Sequence, residues 1–198
     1  MMDVRSCQPD DIRRKSIIIR KVARRRALYN RNSIAIDPGV LMKLADLIHK
    51  RSIISELKAT DRNGVIRELV QSLADNGALS PDHADSIARA AINRERQGST
   101  GFGKGVAVPH VKHASVTQMT ATIGRSSHGV DFAALDRAPV YVIVMLLSPA
   151  DAPEDHLAAM EKIFRHLQRE KFRRFLRQAD TQEAIVELID EVDELQDD

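Results

Sequence analysis

The stretch Val140 to Leu147, VYVIVMLL, constrains the fold of this chain more than any other part of its sequence. Eight apolar residues in a row, several of them β-branched, describe a strand covered on both faces; an edge or surface strand would alternate with polar residues. The run falls well short of the roughly 18 to 20 apolar residues needed to span a bilayer. Amphipathic segments supply the two covers. Leu41 to Ile48 follows the turn cluster Ile36-Asp37-Pro38-Gly39. Val65, Ile66, Leu69, Val70 and Leu73 follow a capping Thr60-Asp61 and stop at Asn76-Gly77. Ser80-Pro81 opens a helix buried through Ile87, Ala88, Ala91 and Ile92. After the apolar run, Asp151 to Glu154 has capping-box spacing ahead of Leu157, Met160, Ile163, Phe164 and Leu167, and Asp180 to Glu183 precedes Ile185, Val186, Leu188 and Ile189. Ile53 to Leu57, Val106 to Val108 and Met119 to Ile123 read as further strands, and 129–132 and 135–139 as loops. The expected fold class is α/β, a small mixed β-sheet flanked by helices on both sides, with a basic N-terminal extension.

Charge separates that extension from the rest. Residues 1–31 hold eight Arg and two Lys against three Asp, a balance of +7, so with a net charge of +2 the remaining residues sum to −5. We expect residues 1–41 to form a solvated, largely disordered arm and residues 42–198 to form the folded domain. The arm could make salt-sensitive contact with nucleic acid or an anionic membrane surface through residues 1–31. Ile17-Ile18-Ile19 is bracketed by Arg and Lys and makes no secretory h-region, so a cytoplasmic location is expected. The single cysteine, Cys7, excludes an internal disulfide and a cysteine-based metal cage.

Chemistry concentrates in Gly98 to His113, GSTGFGKGVAVPHVKH. Gly98 to Lys104 satisfies G-x-x-x-x-G-K, yet Gly105 stands where a P-loop needs a hydroxyl for Mg²⁺, and the flanks run helix to strand, the reverse of a P-loop. The glycines run G-x-G-x-G with no βαβ unit around them, so a dinucleotide fingerprint fails too. His110 and His113 are three apart in a strand leaving into a loop, which turns them to opposite faces and leaves a metal site without a third ligand. The third candidate is a phosphorylated histidine. A neutral imidazole is nucleophilic without prior proton removal, and glycine backbone with Ser99 and Thr100 offers donors for a dianion.

Arg94 to His110, RERQGSTGFGKGVAVPH, closely resembles the signature of the type-2 IIA domains of the bacterial phosphotransferase system, the fructose/mannitol class that includes the nitrogen-related regulatory IIA proteins. The family pattern runs R-E-x-x-G-(S/T)-T-G-(I/F)-G-x-G-(I/V)-A-(I/V)-P-H. The similarity extends over roughly residues 42–193, through Leu57 to Asp61, Gly129 to Phe132, Leu135-Asp136, Pro139-Val140 and Asp155-His156-Leu157. The resemblance implies that His110 accepts a phosphoryl group from the histidine phosphocarrier protein and passes it to a IIB component. It also implies that His156 is the second active-site histidine and Arg94 a site arginine able to bind phosphoryl oxygens. Ser99, Thr100, Gly101 and Gly103 would then bind the phosphoryl group, with no metal or other cofactor, since donor and acceptor are already activated. A regulatory IIA, acting by binding target proteins according to its phosphorylation state, fits the same residues, and a nucleic-acid-associated protein working through the basic arm is the reading of a different class. Residues 1–41 have no counterpart in the family, so Met42 is also an expected translation start.

Overall fold

A computed structural model of the chain describes residues 43–194, and the expectations placed on residues 1–41 lie outside them. Its elements in chain order are α1 (Leu44–Leu47), a 3-10 turn (Lys50–Ser52), α2 (Arg62–Asp75), α3 (Pro81–Gln97), β1 (Gly101–Gly103), β2 (Val106–Ala107), β3 (His110–His113), β4 (Thr120–Val130), β5 (Val140–Pro149), α4 (Pro153–Leu167), α5 (Glu170–Gln178) and α6 (Gln182–Glu194). Among the described residues no helix is long and apolar enough to cross a membrane.

The apolar run becomes β5, the centre of a mixed five-stranded sheet. On one side β4 pairs with it antiparallel, from Thr120↔Leu147 to Val130↔Val140. On the other, β2 and β3 pair with it in parallel, one after the other, at Val106↔Val142 and at His110↔Leu146. They are one strand lane broken at Val108-Pro109. Proline has no N–H for the ladder, and the Val108 N–H turns away to the Thr100 carbonyl at 3.1 Å. Alternation along β5 divides the interior. Ile143, Met145 and Leu147 join a core with α2 and α3, and Val142, Val144 and Leu146 join a second core with α1, α4, α5 and α6. The sheet therefore carries helices on both faces, the architecture expected of such a run.

Several local expectations meet different outcomes. Asp61 caps α2, accepting from Asn63 N and Gly64 N at 3.1 Å each. Ile53 to Leu57 forms no named strand; it meets β4 through an isolated parallel bridge at Ile54↔Gly124, and its Glu56 carboxylate accepts from Ser127 N and Arg125 Nη1. The segment Gly129-Val130, expected in a loop, extends β4 after a register shift. The helix expected to be capped by Asp151 starts instead with Ala152 as N-cap and Pro153 at its first position. α6 is capped by Thr181, whose hydroxyl accepts from Ala184 N at 3.1 Å, and not by Asp180. On α4 the buried stripe is Ala159, Lys162, Ile163, His166 and Leu167, so Leu157 faces outward at 69% exposure.

Candidate functional site

The stretch that mimics a P-loop is a β-hairpin. β1 and β2 pair antiparallel, and Lys104 and Gly105 between them both have positive φ, 59° and 76°, as a two-residue turn matched to strand twist requires. Gly101 is glycine because a Cβ would meet Ala134 at 3.0 Å, where the 131–137 loop packs on the hairpin. Gly103 likewise faces Asp136, whose carboxylate accepts the Lys104 N–H at 2.7 Å.

Polar groups in this stretch are engaged inside the protein. The Ser99 hydroxyl donates to the Phe132 carbonyl and accepts from Gly101 N at 3.0 Å. Thr100 gives both its backbone N–H and its hydroxyl to the carboxylate of Glu95, the hydroxyl at 2.6 Å. Glu95 is 1% exposed and has the Arg62 guanidinium 3.7 Å away. Where the sequence suggested that Ser99, Thr100, Gly101 and Gly103 present donors to a phosphoryl group, the structure gives their hydroxyls protein acceptors and buries both glycines beneath the 131–137 loop. Sequence reasoning left Glu95 without a role, although its place beside Arg94 in the signature marked it.

What the hairpin positions is His110, the first residue of β3, directly after the break in the strand lane. Its Nδ1 lies 2.9 Å from the Val108 carbonyl oxygen. A carbonyl only accepts, so Nδ1 carries the proton and Nε2 keeps a free lone pair. Burial, together with the positive charges of Arg94 and Lys112, holds the imidazole below its usual pKa, against the opposing pull of the Val108 hydrogen bond and Glu95. The ring is neutral and half-buried.

His156 reaches the same place from α4, its ring centroid 5.5 Å from that of His110. Its backbone N–H bonds the Ala152 carbonyl at 3.1 Å, and its Nδ1 lies 2.7 Å from Ser148 Oγ on β5. Burial, His110 and Lys112 lower its pKa as well. Arg94 sits in the last turn of α3, half-buried, with Nη1 donating to the Gly98 carbonyl at 3.0 Å and close enough for its charge to act on His110. The fold thus brings His156, from the distant helix α4, beside His110, with Arg94 of the same signature stretch near enough for its charge to act on His110. His113 is separate: its Nδ1 accepts from Ser115 N at 3.1 Å. Among the described residues no group of three His, Cys, Asp or Glu stands close enough to hold a metal ion. Chemically the arrangement offers a bare imidazole nitrogen beside a second imidazole and two cations, a setting for a group that carries negative charge.

Comparison with known proteins points the same way. The family model described as "Phosphoenolpyruvate-dependent sugar phosphotransferase system, EIIA 2" matches residues 46–192. The chain is 36% identical over 152 residues to the PTS system fructose-specific EIIABC component of Bacillus subtilis, a match covering 77% of this chain and 24% of that longer protein. It is 33% identical over 131 residues to the PTS system fructose-specific EIIA component of Haloferax volcanii, covering 66% of this chain and 84% of the relative. Among solved structures, nitrogen regulatory protein IIA-Ntr from Neisseria meningitidis is similar with a TM-score of 0.66 at 27% identity, covering 74% of this chain and 98% of that one. The matched range includes the histidine-bearing strand and all of the sheet, and the chain belongs to the EIIA type-2 family of the phosphoenolpyruvate-dependent sugar phosphotransferase system.

Proposed function

We propose that the protein is a phosphocarrier that takes a phosphoryl group onto Nε2 of His110 from the phosphohistidine of the histidine phosphocarrier protein and passes it to a IIB component. The observation that carries this reading is the hydrogen bond from His110 Nδ1 to the Val108 carbonyl, which leaves Nε2 as the one ring atom with a lone pair. As the bond from phosphorus to the donor's histidine nitrogen breaks, the bond from phosphorus to Nε2 forms. The donor ring, protonated on its other nitrogen, keeps the electron pair of the broken bond and leaves as a neutral imidazole, while His110 retains its Nδ1 proton and carries the ring's positive charge against the phosphoryl dianion, with the Val108 carbonyl accepting from that N–H. In such a loose, in-line transfer, positioning and charge stabilisation dominate. Arg94 and His156 supply the second: the guanidinium pairs with phosphoryl oxygens, and a ring N–H of His156 donates to another. Ser99, Thr100, Gly101 and Gly103 contribute by holding the strand break that aims His110. The reading places the protein in the cytoplasm.

The test is incubation with phosphoenolpyruvate, enzyme I and the phosphocarrier protein, wild type against His110→Ala. One acid-labile phosphate is expected on the wild type and none on the variant; an unmodified wild type in the presence of competent upstream proteins defeats the reading. His156→Ala is expected to accept phosphate more slowly or to pass it on poorly.

The similarity to IIA-Ntr of Neisseria meningitidis favours a second role for the same chemistry, in which the phosphorylation state of His110 governs binding to a target protein. Transfer of the label to a IIB component supports the transport role. A phosphorylated protein that no IIB discharges, and that binds a target only in one phosphorylation state, supports the regulatory one.

A further inference from the structure

Ser148 is buried completely, near the end of a strand that is otherwise apolar, a position where a polar side chain is costly unless its hydrogen-bonding groups are satisfied. It is paired in register with Lys112, two residues beyond the pair His110↔Leu146, and it continues the face of β5 that carries Val142, Val144 and Leu146 toward α4. Its hydroxyl lies 2.7 Å from Nδ1 of His156. Nothing in the family signature or the charge pattern marks it.

Two arrangements of that hydrogen bond are possible, and they differ in what they leave on the other ring nitrogen. If His156 Nδ1–H donated to Ser148, the buried hydroxyl proton would need another acceptor and Nε2 would turn a lone pair toward the site. If the hydroxyl donates to Nδ1, its proton is satisfied and Nε2 carries a hydrogen. Only the second lets His156 donate to an anion. We infer that Ser148 is a positioning residue that holds His156 in the Nε2–H form and fixes the rotation of its ring.

The two site histidines are thereby set in opposite tautomers by their neighbours. Val108, a pure acceptor, forces the proton of His110 onto Nδ1 and leaves Nε2 bare for phosphorus. Ser148, a donor, takes the lone pair of His156 Nδ1 and leaves Nε2–H for a phosphoryl oxygen. Because burial, His110 and Lys112 keep His156 neutral near pH 7, its tautomer is defined there. The inference rests on the phosphocarrier reading for its purpose, and on the Ser148 to His156 hydrogen bond for its substance.

The experiment has two arms. In the first, nitrogen-15 NMR of the imidazoles in the wild-type protein near neutral pH is expected to show His156 as an Nε2–H ring with an acceptor Nδ1; an Nδ1–H ring overturns the inference without any variant. In the second, transfer from the phosphocarrier protein through His110 to a IIB component is timed for wild type, Ser148→Ala and Ser148→Thr. Ser148→Ala is expected to slow transfer roughly tenfold, the scale of one lost hydrogen bond, with a shift of the His156 Nδ1 signal, and Ser148→Thr to restore both. A Ser148→Ala protein with wild-type rate and unchanged His156 signals overturns the role. Failure of wild-type phosphorylation at His110 would instead strike the phosphocarrier reading, and the NMR arm would still decide the tautomer.

Discussion

His110 and His166 are both held toward the neutral form, for different ends. At His110, burial is reinforced by Arg94 and Lys112, so its pKa lies below the usual 6.5 and Nε2 keeps its lone pair as the solution turns mildly acidic. An NMR titration is expected to place its midpoint below 6.5, and phosphoryl acceptance to stay level through that pH and fall only beneath it. Arg94→Ala removes one of the depressing charges and is expected to raise the midpoint; a midpoint at or above 6.5 in the wild type contradicts this account. His166 is buried completely on α4, with neither ring nitrogen hydrogen-bonded, its Nε2 3.8 Å from Asp193 Oδ1 on α6. Burial, with Lys162, Arg169 and Arg165 acting against Asp193, pushes its pKa down to about 4. The unfolded chain therefore binds a proton more readily than the folded one between pH 6.5 and about 4. Stability from this group is whole above that window and is lost as pH falls through it, by about 3 kcal/mol at the full shift. His166→Met is expected to flatten that part of the stability profile, measured by urea unfolding at several pH values.

At the scale of elements, β5 organises everything else. Leu146, fully buried opposite His110, belongs to the core shared with α4. Leu146→Ala is expected to cost about 2 to 5 kcal/mol in urea unfolding and to loosen the strand pair that fixes His110. The helix after β5 shows why periodicity misleads at one position. Leu157 fits the apolar spacing of Met160, Ile163, Phe164 and Leu167, but the helix is rotated so that Lys162 and His166 face inward against Asp193 and Leu157 faces out. α5 has only two buried apolar residues, Phe172 and Leu176, one turn apart among charged neighbours, a pattern too sparse to mark a helix on its own. Ile53 to Leu57 has the β-branched composition of a strand, yet it meets β4 only over a bridge at Ile54↔Gly124 and a few neighbouring backbone bonds, too short a ladder to make a strand.

Across the described residues, 43–194, two apolar cores lie on opposite faces of one sheet and share β5. Loss of either exposes one face of the same strand, so far-UV circular dichroism and near-UV circular dichroism are expected to report a single coincident unfolding transition. Two separated transitions would mean that the cores hold independently. The sequence by itself determined the two-sided strand and the amphipathic helices that cover it, and its dense signature singled out His110 as the candidate, because apolar run length, helical periodicity and a contiguous signature are local properties of the chain. Tertiary structure decided which of the signature's polar groups look inward. Ser99 and Thr100 read as ligands in one dimension, and only the fold brings Phe132 and Glu95 within reach of their hydroxyls. It also decided the protonation pattern of the site, since the partners of His110 and His156 are a backbone carbonyl at a strand break and a serine on another strand. Hydrogen-bond direction depends on which groups meet in space, and sequence spacing does not encode that.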